Sequence, residues 1–413
     1  SLISDVYGVL PAFSHAKKHL KSWMKDEKRK SNFPFSLMGA KSYIHREPLG
    51  IIGMISPWNF PMYLSLAPLA GIFSAGNQVM HKPSEFTPIT SELLKEICDS
   101  SFDETEFATF LGGPDVGESF TKLKFDHLLF TGSGNIGKHV MRAAADNLVP
   151  LTLELGGKSP VIVSDSSNID ITARRVMFNK TLNAGQICLA PDYVYVHETE
   201  KDNFVEACKK QVNNFYSDLK YNPDYTSVIN QKHYDRLNGL LSDAKDHGAE
   251  IVEINPADED FSQQESHKIP PTLVLNPNDD MQIMKEEIFG PLLPIKTYTD
   301  INEPINYINK NDKPLGLYYF GNNKSEQSKV VNSTTSGGVT VNDIMGHIQQ
   351  NELGFGGVGP SGMGKYDGFD GFMNFSNNKP IYKQVSFRLD KFLDPIRPPY
   401  KGSLQGVLEK LLK

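Results

Sequence analysis

Three segments carry residue types able to do chemistry together: a lone thiol, an acid behind an apolar run, and an amide at a turn. Cys188 closes Gly185-Gln186-Ile187-Cys188, at the predicted end of a helix. A thiolate is a strong nucleophile, and a single cysteine equally serves as small apolar packing. Glu154 opens Glu154-Leu155-Gly156-Gly157, directly after the apolar run 149–153. A carboxylate there caps a turn, pairs with Lys158, or acts as a mobile general base. Asn59 lies in Pro57-Trp58-Asn59-Phe60-Pro61, at a predicted strand-to-helix turn. Its amide either forms the turn or stabilises an oxyanion. Thiol, base and amide donor together would suit acyl chemistry.

A fourth segment points to a nucleotide. Gly132-Ser133-Gly134-Asn135-Ile136-Gly137 matches G-x-G-x-x-G, follows a predicted strand and opens a predicted helix. That context lets a pyrophosphate approach helix-terminal amides, although a tight strand-to-helix turn alone has the same pattern. Glu154, downstream of it, is not assigned as the ribose acid. Glu85, at the end of a strand and turn and beside Lys82, is the better ribose candidate.

The elements that must position these residues alternate. Residues 5–26 read as a helix broken near Pro11, and 35–47 as one or two strands. Residues 49–55 read as a buried parallel strand, 61–74 as a helix with proline in its first turn, 79–82 as a strand and 87–100 as a helix. Strand 125–131 and helix 138–147 follow, then strand 160–163, helix 169–184, strand 193–196 and helix 200–215. The polar stretch 255–264 reads as a surface loop. This alternation predicts an α/β fold of two doubly wound domains. The boundary is placed near Gly156: residues 1–32 and 49–156 form a cofactor domain and 157–360 a catalytic domain.

Composition narrows the function classes. The 413 residues suffice for two or three domains. Lysine plus arginine is 42 against 49 aspartate plus glutamate, so the net charge of -7 leaves no footprint for nucleic acid. Of the 3 cysteines, Cys98, Cys188 and Cys208, none forms a C-x-x-C pair, which argues for a reducing, cytoplasmic setting. The uncharged stretch before Met80 carries Pro57, Pro61 and Pro68, which break a spanning helix, so no membrane span is expected. No basic leader precedes an apolar run at the start. The 11 histidines show no metal-ligand spacing, so no metal site is expected.

Taken in order, the segments resemble the aldehyde dehydrogenase superfamily over nearly the whole chain. They are Pro-Trp-Asn-Phe-Pro at 57–61, His-Lys-Pro-Ser-Glu at 81–85, Phe-Thr-Gly-Ser at 130–133, Glu-Leu-Gly-Gly-Lys-Ser-Pro at 154–160, Gly-Gln-Ile-Cys at 185–188 and Glu-Glu-Ile-Phe-Gly-Pro at 286–291. The resemblance implies that Cys188 is the nucleophile and Glu154 the base for the deacylating water. It implies an oxyanion hole from Asn59 and the Cys188 backbone N–H. Lys82 and Glu85 would then hold the adenosine ribose, Ser133 and Gly137 the pyrophosphate, and Glu287 and Phe289 the nicotinamide end of NAD, with Trp58 also at the cofactor and NADP also accepted. A base at 154 separates the chain from relatives that pass the acyl group to coenzyme A.

Residues 188–194, 228–233 and 359–368 look like the class 3 branch, and within it the bacterial coniferyl aldehyde dehydrogenases, which oxidise an aromatic propenal. The expected reaction is coniferaldehyde to ferulate. The alternatives are a medium- or long-chain aliphatic aldehyde, or an inactive relative. Gly354 stands where the family has proline. Members carry several tens of residues ahead of the point where this chain begins, packed on the cofactor domain. By the same resemblance, 33–48 and 375–390 supply strands of a homodimer and 391–413 a tail.

Overall fold

The computed structural model describes residues 2–33 and 35–386, with positions 391, 394, 397, 398 and 406. The expected tail, and the last four positions of the 375–390 strand, lie outside the described residues apart from those single positions.

The chain divides into two units, residues 1–18 with 49–375, and residues 19–48 with 376–413. The larger unit holds two sheets. The first is built from β1 (Ile51–Ile55), β2 (Gln78–Lys82), β3 (Phe107–Thr109), β4 (His127–Gly132) and β5 (Leu151–Leu155). The second takes β6 (Pro160–Val163), β7 (Tyr193–His197), β8 (Glu250–Glu253), β9 (Thr272–Leu275), β10 (Leu292–Tyr298), β11 (Gly316–Phe320) and β12 (Gly338–Val341). A two-residue strand, β13 (Gly362–Met363), returns to the first sheet.

The orders are β13-β5-β4-β1-β2-β3 and β8-β9-β10-β7-β6-β11-β12. All neighbours pair in parallel except β13 with β5 and β8 with β9. Parallel strands need helical crossovers on both faces, which is why β6 and β11 read as unbroken buried runs. Leu128, Phe130, Val140, Leu153 and Leu155 form the core against the first sheet. Ile162, Val274, Leu292 and Leu317 lie in the core of the second. In the first sheet the chain runs outward from β1 through β2 to β3, then restarts on the other side with β4 and β5. That reversal leaves a crevice at the carboxyl ends of β1 and β4, where open α/β sheets take ligands.

The smaller unit is an antiparallel sheet of Glu27–Arg29, Lys41–Pro48 and Ser376–Lys383, in that order. Residues 19–32, read from sequence with the cofactor domain, group with this sheet instead.

Several elements differ from the sequence reading for identifiable reasons. The first helix is not broken at Pro11 but runs from Val9 to Trp23 with Pro11 in its first turn, where a missing N–H costs nothing. The helix expected over 61–74 is two short ones, Tyr63–Leu66 and Leu69–Ser74, divided at Pro68. The helix expected to reach residue 184 stops at Thr181. Strand β3 was not anticipated, being only three residues long. Among the described residues no helix is long and apolar enough to cross a membrane.

Candidate active site

The turn carrying the thiol is built by three successive left-handed residues, Asn183, Ala184 and Gly185, with φ of 49°, 50° and 71°. They end the helix Ile169–Thr181 and swing the chain towards β1. Glycine is required at the third, because a Cβ on Gly185 would lie 2.3 Å from the Gly290 carbonyl oxygen. Below the turn, the Lys180 ammonium is fully buried and donates to the Pro191 carbonyl at 2.8 Å. Burial pulls its pKa down to about 7. The Tyr318 hydroxyl on β11 donates to the Leu189 carbonyl at 2.7 Å. Two side chains thus fix the backbone on the far side of Cys188.

Asn59 closes the near side. Its Nδ2 donates to the Gln186 carbonyl at 3.1 Å, and Asn183 Nδ2 donates to the Asn59 carbonyl at 2.9 Å. One Asn59 N–H therefore ties the turn after β1 to the nucleophile loop, and the amide keeps a second hydrogen. Gln186 is buried and donates to Asn183 O and Ser227 O while accepting from the Ile229 N–H. Neither Asn183 nor Gln186 was singled out from the sequence. The signal was available in two amide side chains flanking Ala184-Gly185, inside a run otherwise read as helix.

Glu154 sits on β5, opposite Thr131 of β4 and Gly362 of β13. It is 3% exposed, and neither carboxylate oxygen has a hydrogen-bond partner in the protein. The capping and Lys158-pairing alternatives fall: Lys158 pairs with Asp192 and also donates to the Ile283 and Glu286 carbonyls. Burial, and then the charge of Asp367, push the Glu154 carboxyl well above the usual carboxylate range. Burial raises the Cys188 thiol as well, reinforced by the charges of Glu287 and Glu154, while the Cys188 and Leu189 backbone N–H groups act in the opposite sense. Cys188, Glu154 and Glu287 thus share one electrostatic environment. Cys98 and Cys208 are fully buried packing residues.

Glu287 reaches this environment because residue 156 is glycine: a Cβ there would stand 2.1 Å from its carboxylate. Burial raises the Glu287 pKa to about 8, against the lowering effect of a Gly157 N–H bond. The strand of backbone behind it is pinned by Asp192, which accepts from the Ile288 N–H at 2.9 Å, and by Arg236, which donates to the Ile288 carbonyl at 2.6 Å. Trp58 and Phe289, expected at one end of the cofactor, meet edge to face at 5.4 Å, and His233 packs on Trp58 at 5.5 Å.

The remaining cofactor candidates lie along the carboxyl edge of the first sheet. Lys82 ends β2, is buried, and binds Glu85 at 2.7 Å. Ser133 is exposed at the start of the helix Gly134–Ala145 and accepts from the Ile136 N–H at 3.5 Å, a long contact. Gly137 is buried, and a Cβ would meet Leu155 at 2.9 Å, so its absence of side chain lets the helix pack closely on the sheet. An exposed helix start above a switch point, with a lysine–acid pair two strands along the same edge, fits a dinucleotide.

Sequence and fold comparisons decide the family. The model for "Aldehyde dehydrogenase family" matches residues 4–381. The chain belongs to the aldehyde dehydrogenase family. It is 52% identical over 412 residues to the probable coniferyl aldehyde dehydrogenase of Caulobacter vibrioides, covering 100% of this chain and 85% of that one. It is 49% identical to the coniferyl aldehyde dehydrogenase of a Pseudomonas species, covering 100% and 84%. Among solved structures, the substrate-bound state of Staphylococcus aureus AldH superposes with a TM-score of 0.91 at 38% identity, covering 100% of this chain and 87% of the other. The protein is therefore an aldehyde oxidoreductase that works with a nicotinamide cofactor.

Proposed function

We propose that this aldehyde dehydrogenase oxidises coniferaldehyde to ferulate with NAD, through a thioester on Cys188. The observation that carries the catalytic part is the bond from Asn59 to the Gln186 carbonyl, which fixes an amide donor against the nucleophile loop while Glu154 faces the same space with both oxygens unengaged by protein. The substrate part rests on the relatives named coniferyl aldehyde dehydrogenase.

The steps follow from these positions. The Cys188 thiolate adds to the aldehyde carbon, forming a thiohemiacetal whose oxyanion is stabilised by the second Asn59 N–H and the Cys188 backbone N–H. A bound nicotinamide would supply the hydride acceptor and a positive charge opposing the negative charges of Glu287 and Glu154 that hold the thiol protonated. With the hydride gone, the carbon is a thioester. Glu154 takes a proton from water as its oxygen attacks that carbon; the C–S bond breaks and the thiolate is restored. Trp58, Glu287 and Phe289 would hold the nicotinamide end, Lys82 and Glu85 the adenosine ribose, and Ser133 and Gly137 the pyrophosphate. Glu85 would accept from the ribose hydroxyls and repel a 2′-phosphate, which favours NAD. Of the segments read as the cofactor domain, 1–32 and 49–156, residues 1–18 and 49–156 keep that role, with 157–360 as the catalytic domain.

The three-stranded sheet has an open edge at Ser376–Lys383 among the described residues. An unpaired edge is a template for another chain, so the protein is proposed to be a homodimer through this sheet. Light scattering on the purified protein tests that; a monomer at all concentrations would overturn it. For the reaction, NADH absorbance is followed with coniferaldehyde, decanal and a Cys188→Ala control. Turnover of coniferaldehyde that vanishes in the control supports the proposal. Preference for decanal would overturn the substrate, and activity in the control would overturn the nucleophile.

A further inference from the structure

Strands β6, β7 and β10 lie side by side in the second sheet, and the segments that enter them converge at their amino ends. Lys158 stands two residues before β6, Asp192 one residue before β7, and Glu287 five residues before β10. The Asp192 N–H donates to the Ser159 carbonyl at 2.9 Å, which extends the β6–β7 ladder by one step. The sheet itself therefore places Asp192, and the side chain is buried.

Both carboxylate oxygens of Asp192 are engaged. One pairs with the Lys158 ammonium, and the other accepts from the Ile288 N–H at 2.9 Å. Lys158 also donates to the Ile283 and Glu286 carbonyls, each at 2.8 Å. Arg236, on the helix Gln231–Asp246, donates to the Glu287 carbonyl at 3.3 Å and to the Ile288 carbonyl at 2.6 Å. These bonds hold the backbone on both sides of Glu287. Its carboxylate lies against Gly156, and Oε1 is buried with no protein partner. The same segment meets the nucleophile turn at a second place. The Gly290 carbonyl occupies the space that a Cβ on Gly185 would need, and Lys180 holds the Pro191 carbonyl next to Asp192. Residues 185–192, with Cys188 among them, are thus fastened to 286–290 at both ends, by close packing at Gly185 and by hydrogen bonds at Asp192.

We propose that Asp192 is a positioning residue for the hydride step, holding Glu287 in a fixed place relative to Cys188. This rests on the reading of Glu287 as the acid at the nicotinamide end. Hydride transfer from the thiohemiacetal depends on that placement, and a misplacement of about 1 Å lowers rates by about 100-fold. Hydrolysis of an activated ester does not depend on it. There the Cys188 thiolate displaces p-nitrophenolate from p-nitrophenyl acetate, and water hydrolyses the acetyl thioester with no hydride moved.

The test uses the whole purified chain and two pairs of measurements. Calorimetry compares NAD with ADP, which lacks the nicotinamide riboside. Asp192→Asn is expected to weaken NAD by about 3- to 10-fold, the loss of about one hydrogen bond, and to leave ADP unchanged. Kinetics compare aldehyde oxidation with hydrolysis of p-nitrophenyl acetate measured without NAD. The ratio of the first to the second is expected to fall by about 10- to 100-fold. An unchanged ratio would overturn the proposal. So would NAD and ADP weakening together, since that would make the residue's role structural. Asp192→Asn leaves the Lys158 charge without its counter-ion, which is costly in a buried place. The double variant Lys158→Gln with Asp192→Asn removes both charges and is expected to show the same two effects; wild-type NAD affinity and ratio in it would overturn the proposal. A Glu287→Gln control divides the causes. If that variant keeps its NAD affinity and its ratio, the reading of Glu287 fails; if it loses them while Asp192→Asn does not, only the positioning role fails.

Discussion

Replacing Gly185 with alanine would displace the nucleophile without touching it. Residue 185 has φ of +71°, where a Cβ costs about 1–2 kcal/mol. The added Cβ would also sit 2.3 Å from Gly290 O and 3.0 Å from Lys180 O, both backbone atoms that no rotamer change can move. An ordinary contact needs more than an ångström of extra separation from the first, and overpacking of this kind costs about 1–3 kcal/mol. The strain amounts to about 2–5 kcal/mol, and relieving it shifts the turn three residues ahead of Cys188. A misplacement of about 1 Å lowers rates by about 100-fold. The assay is kcat/KM for aldehyde oxidation beside a thermal melt, with Gly239→Ala as control. A Cβ at Gly239 meets nothing within 4 Å, and its helix Gln231–Asp246 favours alanine. Full activity in Gly185→Ala would refute the argument that this turn aims the thiol.

Asn59→Ala is expected to lower kcat by about 100- to 1000-fold, by loss of one oxyanion donor, with NAD binding retained in a fluorescence titration. In the protein without cofactor, Glu154→Gln removes one negative neighbour of Cys188, so the thiol ionises at lower pH. The pH profile of alkylation by iodoacetamide is expected to move to lower pH, and an unchanged profile would contradict the proximity of the two groups. Stability is expected to fall as pH drops below about 6.5 towards 4. His81 and His127 are buried neutral, bonded to Ser56 and Thr152, with pKa values pushed down to about 3 and about 4. Each binds its proton in the unfolded chain first, so the stability they contribute is full above the unfolded value and is lost below it. Thermal melts across that range check the sign.

The parts of this molecule legible from sequence are those whose physics is local. Buried parallel strands such as Ile51–Ile55 and Pro160–Val163 show as apolar runs, and Cys188, Glu154 and Asn59 stand in short segments with distinctive neighbours. What escaped was set by distant partners. Asn183 and Ala184 adopt left-handed backbone because Gly185 and Gly290 pack there, which no helical periodicity announces. Lys158 was a candidate partner for Glu154, four residues away, yet it bonds Asp192 on the far side of the nucleophile. The charge of Asp367 reaches Glu154, far from it in sequence, because β13 returns to pair with β5.

The central claim, a thioester on Cys188 hydrolysed with Glu154 as base, is tested most directly by intact mass spectrometry of Glu154→Gln quenched in acid after mixing with NAD and coniferaldehyde. The account predicts one NADH per subunit and a protein heavier by one acyl group, located on Cys188 after digestion. NADH formed through repeated turnovers with no mass added, or an acyl group on another residue, would contradict it.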